Sequence, residues 1–417
     1  MPGRTRRQFL ASLGAAAGAG MVIGPARKAG AAAPPSALPG TGGIAPAAAA
    51  SGAGPTVPSY LGAYEPDYRA DPRAAALKWF REAKFGLFIH YGLYSLHGIH
   101  PFEQHRLKIP VAEYAKLAGE FTAAKFDANA LTDLALETGM KYVTLVTKHC
   151  EGFCLWDTQQ TDFNSVRSAA KRDLVAEMAE ACRKKGLGLF LFYEHGFEWH
   201  HPDGPRKKDF PIALVEVPYD PPEPSYAYGD KYDLQKYVDY VSAQVTELLA
   251  HYGPAAGIWL DGAAVPASGD KSRFHLEELY DLIRRLQPQA LVSYKWGITG
   301  KEDFLAPEKA QIRQIKDRGA KPLEVCVPLQ PGWGYVKDQT HHNADWVMAE
   351  LQEAANLGAN LLLNIGPLGD GSIHPDDVAT LHEVGKRLKE NGFPKAQATP
   401  TTEPAKPAAK RGKKGAK

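Results

Sequence analysis

Between about residues 60 and 394 the chain alternates short, wholly apolar runs with longer segments whose apolar side chains recur at helical intervals. The runs are Phe85-Gly86-Leu87-Phe88-Ile89, Tyr142-Val143-Thr144-Leu145-Val146, Leu187-Gly188-Leu189-Phe190-Leu191-Phe192, Gly257-Ile258-Trp259-Leu260, Ala290-Leu291-Val292-Ser293-Tyr294, Leu323-Glu324-Val325-Cys326-Val327 and Leu361-Leu362-Leu363-Asn364-Ile365. Being apolar on both faces, they predict buried parallel strands. In one intervening segment Leu174, Val175, Met178, Ala181 and Cys182 share a stripe, Lys184 and Lys185 suit a last turn, and Gly186 suits a terminator. The segment 234–249 repeats the pattern. Strand and helix alternating over this length predict a (β/α)8-like TIM barrel, with a doubly wound sheet as the alternative. Seven runs are legible, so the eighth strand or helix is expected to be irregular or missing. The last helical segment ends near Asn391, which leaves no length for a large second domain.

Both ends have a different composition. Arg4-Thr5-Arg6-Arg7-Gln8-Phe9-Leu10, the small apolar stretch behind it and Ala29-Gly30-Ala31 predict a twin-arginine signal peptide over 1–31, hence export to the periplasm or the extracellular space. The stretch is too short for stable membrane insertion. Residues 32–59, rich in Ala, Pro and Gly, predict a linker, 60–394 the catalytic barrel, and 395–417 a basic disordered tail. The net charge is +2, with much of the basic excess in the two ends, so the body offers no electrostatic case for nucleic acid. The four cysteines, Cys150, Cys154, Cys182 and Cys326, lack the spacing of a disulfide framework or a zinc site and are expected as buried thiols; a Cys150–Cys154 pair stays open. No pattern specifies the oligomeric state.

Chemistry collects where the runs end. His90, Lys148-His149, Tyr193-Glu194-His195, Asp261 and Lys295-Trp296 close or follow the first five, and barrel active sites are built at C-terminal strand ends. The chain has no Gly-rich phosphate loop and no Gly-x-Ser-x-Gly elbow. Its doublets His200-His201 and His341-His342 do not suggest a metal, because neighbouring residues on a strand or helix point apart. Neither a metal nor a cofactor is expected. Carboxylates are left as the workers: Asp261, with Glu302, Asp303, Glu308 and Glu324 as partners for the pair that glycoside hydrolysis requires.

Five ordered motifs carry a family resemblance over 75–394. Trp79-Phe80-Arg81-Glu82-Ala83-Lys84-Phe85-Gly86-Leu87-Phe88-Ile89-His90-Tyr91-Gly92 resembles the opening strand of the α-L-fucosidases, glycoside hydrolase family 29. Lys148-His149-Cys150-Glu151-Gly152-Phe153 is similar to that family's Lys-His-His-Asp-Gly-Phe, and Trp259-Leu260-Asp261-Gly262 to its nucleophile strand. Trp333-Gly334-Tyr335 and Gly358-Ala359-Asn360-Leu361-Leu362-Leu363-Asn364-Ile365-Gly366-Pro367 complete the series. The resemblance implies a retaining exo-glycosidase that removes terminal α-L-fucosyl residues from an oligosaccharide or glycoconjugate. It gives Asp261 the nucleophile role and implies Glu308 as acid/base, with Glu324 as the alternative. It also implies sugar contacts for His90, Glu103, His149, Tyr193, Trp259, Lys295 and Trp333.

The chain departs from the family at Cys150, which replaces the second His, at Glu151, which replaces Asp, and at Tyr193-Glu194-His195, which replaces Tyr-Tyr-Ser. Lys295 stands in place of Arg. These departures keep two other readings in play: a glycan-binding barrel with weak or no turnover, and a hydrolase of the same fold acting on another sugar.

Overall fold

The computed structural model describes residues 56–213, 232–315 and 317–397. The twin-arginine segment, the linker up to residue 55 and the tail from residue 398 lie outside the described residues. The first described element is a 3-10 helix at Ser59–Tyr64, which buries Tyr60 and Leu61.

Every predicted run is a strand: β1 Phe85–Ile89, β2 Tyr142–Lys148, β3 Gly188–Glu194, β4 Gly257–Asp261, β5 Leu291–Tyr294, β6 Leu323–Pro328 and β7 Ala359–Ile365. They pair in parallel in the order β5-β4-β3-β2-β1-β7-β6. Among the helices are α1 Pro72–Ala83, α2 Ala128–Thr138, α3 Leu174–Lys185, α4 Leu234–His251, α5 Leu276–Leu286, α6 Ala344–Leu357 and α7 Pro375–Asn391. Asp127, Asp173 and Asp233 cap α2, α3 and α4 by accepting backbone N–H groups of the first turn. Gly186, left-handed at φ 68°, ends α3 where the sequence places its stop. No helix among the described residues is long and apolar enough to cross a membrane.

The eighth position is filled, though not by a regular strand. Residues 303–308 run between β5 and β6: Asp303 N–H donates to Val292 O (2.8 Å), Ala306 N–H to Lys295 O (2.7 Å), and Glu324 N–H to Leu305 O (2.8 Å). The segment is irregular because Asp303 Oδ2, a side-chain atom, accepts the Val292 N–H, and because Pro307 has no N–H to donate. It joins the two edges of the sheet and brings Glu308 alongside Cys326 of β6.

Side chains alternate between two apolar layers. Leu189, Leu191 and Tyr193 of β3, or Leu323, Val325 and Val327 of β6, belong to the large layer that also contains the helices' buried faces. Phe88, Phe190, Phe192, Trp259, Cys326 and Leu362 form the interior with Trp79 and Phe80 of α1. Trp79 closes the N-terminal end: a Cβ at Gly188 would stand 2.4 Å from its ring, so only glycine fits there. The opposite end is left for the site. All four cysteines are buried and free, so Cys150 and Cys154 do not pair.

Candidate active site

Strand parity decides which strand-end groups enter the cavity. From Phe190 and Phe192 the interior face of β3 continues to Glu194, not to Tyr193; from Trp259 that of β4 continues to Asp261. Glu194 and Asp261 are register partners on adjacent strands. On β2 a register irregularity at Val146/Lys148 changes the parity. Lys148 consequently points outward, where it pairs with Glu198 (2.6 Å) and lies over the ring of Tyr193 (4.3 Å), while His149 joins the cavity wall.

The cavity, about 160 Å³, is lined by His90, His149, Glu194, Asp261, Lys295, Glu308 and Trp333, together with Phe88, Phe102, Phe197, Trp296 and Gln311. Lys295 is its electrostatic centre. Its Nζ is 3.1 Å from Asp261 Oδ2 and 2.9 Å from Glu308 Oε1, so these oxygens are no more than about 6 Å apart. Burial disfavours the Lys295 charge, but Asp261 and then Glu308 outweigh it and hold the ammonium's pKa above its ordinary range. The other oxygen of Asp261 accepts the N–H of Gly262 at 2.5 Å.

His90 is fixed from behind. Asn364 donates to Trp333 O (2.5 Å) and so turns Oδ1 toward His90 Nδ1 at 2.6 Å. Burial, and then the neighbouring His149, push His90 well below the imidazole range. The ring is therefore neutral near pH 7, with Nδ1–H donating to Asn364 and Nε2 left as an acceptor. Trp333 lies 5.3 Å from His90, and its indole supplies an apolar wall.

Four residues named from the resemblance lie outside the lining. Tyr193 faces the helix layer, where its hydroxyl donates to Gln244 Oε1 (2.8 Å). Glu103 is buried against His97 Nδ1 (2.8 Å). Trp259 forms the floor under Lys295, with its Nε1–H given to Glu324 Oε1 (2.8 Å). Glu324 also accepts from Tyr142 Oη (2.5 Å), so both its oxygens are occupied by buried partners near the start of β6. Burial lifts its carboxyl to about 7, against the opposing effect of those two hydrogen bonds.

Glu194 is an ionisable lining residue to which the sequence reading gave no role. Burial, then the charge of Asp261, push its carboxyl well above the usual range. Its signal lay in the sequence: two residues after Phe192 it shares the inward face, while Tyr193 cannot.

The α-L-fucosidase family model matches residues 57–393. The chain belongs to the α-L-fucosidase family. Among curated relatives, tissue alpha-L-fucosidase of Rattus norvegicus is 31% identical over 375 residues, spanning 83% of this chain and 74% of the relative. Among solved structures, alpha-L-fucosidase isoenzyme 1 from Paenibacillus thiaminolyticus is 31% identical with a TM-score of 0.70, covering 79% of this chain and 80% of that one. Alpha-L-fucosidase AlfC from Lactobacillus casei, in complex with its α-L-fucose product, is 28% identical with a TM-score of 0.67, covering 76% and 98%. Membership makes this chain a glycoside hydrolase, and the barrel expected from the pattern of runs is that of its structural relatives.

Proposed function

We propose that this enzyme removes terminal α-L-fucosyl residues from glycans or glycoconjugates with retention of anomeric configuration. The observation that carries the proposal is the Asp261–Lys295–Glu308 bridge, which keeps the two carboxylate oxygens within about 6 Å of each other. Retaining glycosidases space their carboxyl groups by about 5–5.5 Å, and inverting ones by about 6.5–9.5 Å to admit a water.

In the first step an Asp261 oxygen forms a bond to the anomeric carbon, while the glycosidic bond breaks and Glu308 gives its proton to the leaving oxygen. In the second, Glu308 takes a proton from water, whose oxygen displaces Asp261 and releases fucose. The Lys295 ammonium offsets the repulsion between two carboxylates held this close, and the entering sugar must displace it from Glu308 before that residue can deliver a proton. His90 Nε2 accepts a sugar hydroxyl, and Trp333 covers an apolar face. Turnover of 4-nitrophenyl α-L-fucoside tests the reading against the weak-turnover alternative, which predicts binding without release of nitrophenol.

A second reading, hydrolysis of a different sugar, is favoured by one observation: Glu194, where the resemblance expects an aromatic residue, is buried in the cavity wall beside Cys150 (3.5 Å). A panel of aryl glycosides separates the two, since a preference for another sugar over the fucoside would favour this second reading. We also propose export by the twin-arginine route. Replacing Arg6 and Arg7 by Lys should hold the precursor in the cytoplasm, and undiminished secretion of the double variant would remove that claim.

A further inference from the structure

Adjacent residues on a strand diverge, but His149 and Cys150 follow β2 in a turn closed by Gly152 N–H donating to His149 O (3.0 Å). The turn lets both side chains face Glu194. One ligand atom each from His149, Cys150 and Glu194 lies within 4.8 Å of the others, and all three residues are buried. From these three side chains we infer a binding site for a thiophilic divalent cation of the zinc type, beside Asp261 and separate from the carboxylate chemistry proposed above.

Three features point to a cation in addition to the cluster itself. Cys150 Sγ and Glu194 Oε2 are 3.5 Å apart, the separation that zinc bonds of about 2.3 Å to sulfur and about 2.0 Å to oxygen give in a tetrahedron. His149 Nδ1 is buried and makes no hydrogen bond among the described residues, and the Oε2 of Glu151, equally unpartnered, stands 3.6 Å from it. A carboxylate behind a ligating imidazole is the usual outer support of a metal site. Finally, His149 and Glu194 line the cavity, so a fourth position opens onto it for water or a sugar hydroxyl. With the cation in place, the hydroxyl that would meet His149 meets the metal instead.

As the metal–sulfur bond forms, the Cys150 thiol gives its proton to solvent, so binding is expected to tighten as pH rises.

The test uses the full chain, stripped with a chelator and reloaded with zinc alone or cobalt(II) alone, with no sugar present. The expected result is one zinc per chain, and for cobalt a thiolate-to-metal charge-transfer band. Cys150→Ser should abolish the band and weaken zinc by more than ~100-fold, and Glu151→Gln should weaken it by about 10–100-fold. Cys182→Ser, at a buried thiol in α3, should leave both readouts unchanged. Absence of retained zinc, a cobalt spectrum without the thiolate band, or unchanged affinity in Cys150→Ser would overturn the assignment. The wild-type cobalt spectrum decides the question even if a variant does not fold. Because no glycoside enters these measurements, their failure leaves the fucosidase reading intact, and failure of that reading leaves them valid.

Discussion

The floor and the mouth of the barrel each hold carboxylates in buried surroundings and use them differently. At the floor, Glu324 is wholly buried, and each of its oxygens accepts a hydrogen bond from a fixed neighbour, Tyr142 or Trp259. At the mouth, the Asp261 and Glu308 side chains retain 20% and 31% of their exposure, and both depend on one Lys295 ammonium that can satisfy either. A carboxylate enclosed between two buried side chains holds the structure together; one that shares a cation and opens to a cavity has capacity left for a ligand. This contrast supports the proposal that Glu308, rather than Glu324, acts on the substrate.

The largest expected effect breaks the comparison at the mouth. Asp261→Gly should lower turnover by about 10⁴-fold or more, and azide should restore part of it by attacking the vacated face to give the inverted glycosyl azide. Near-normal turnover of that variant would end the proposed mechanism. Next, Glu308→Ala should cost roughly 10²–10³-fold with a sugar leaving group and less than about 10-fold with an activated aryl one, whose departure needs little proton assistance. Glu324→Ala, measured on the same two substrates, should affect both alike. A leaving-group signature at Glu324 and none at Glu308 would reverse the assignment.

At the floor the readout is stability. Burial raises the Glu324 carboxyl to about 7 in the folded protein, so between its ordinary value of 4.5 and about 7 the folded state binds the extra proton. Stability from this group is therefore fully present below about 4.5 and is lost as pH rises toward 7, by about 3 kcal/mol across the window. In Glu324→Gln the amide can accept from Trp259 and donate to Tyr142, and this part of the pH dependence of the melting temperature should vanish. An unchanged profile would mean that the carboxyl is not perturbed as described. The smallest effect is expected at Tyr193→Phe, which removes one buried hydrogen bond to Gln244 behind the sheet: about 1 kcal/mol of stability and no change in KM or kcat. A rise in KM would show that the ring reaches the sugar after all.

The same contrast marks what could be read in the chain. Seven strands were legible because their apolar runs are continuous, and Asp261 because it closes one of them. Residues 303–308 were not legible as a strand: Asp303 and Pro307 break the apolar pattern, and only their pairing with β5 and β6 makes the segment an element. Parity could have exchanged Tyr193 for Glu194, but the β2 irregularity that admits His149 leaves no trace in spacing. The neighbours His149 and Cys150 converge only because the chain turns there, against the rule for strands and helices on which the sequence expectation rested.

The central claim, that Asp261 attacks the anomeric carbon with Glu308 close by, is tested most directly by the stereochemistry of the first product. Proton NMR during the opening minutes of 4-nitrophenyl α-L-fucoside hydrolysis should show α-L-fucose accumulating first, with the β anomer growing only as mutarotation proceeds. Initial appearance of β-L-fucose would mean single displacement by water and would contradict the account.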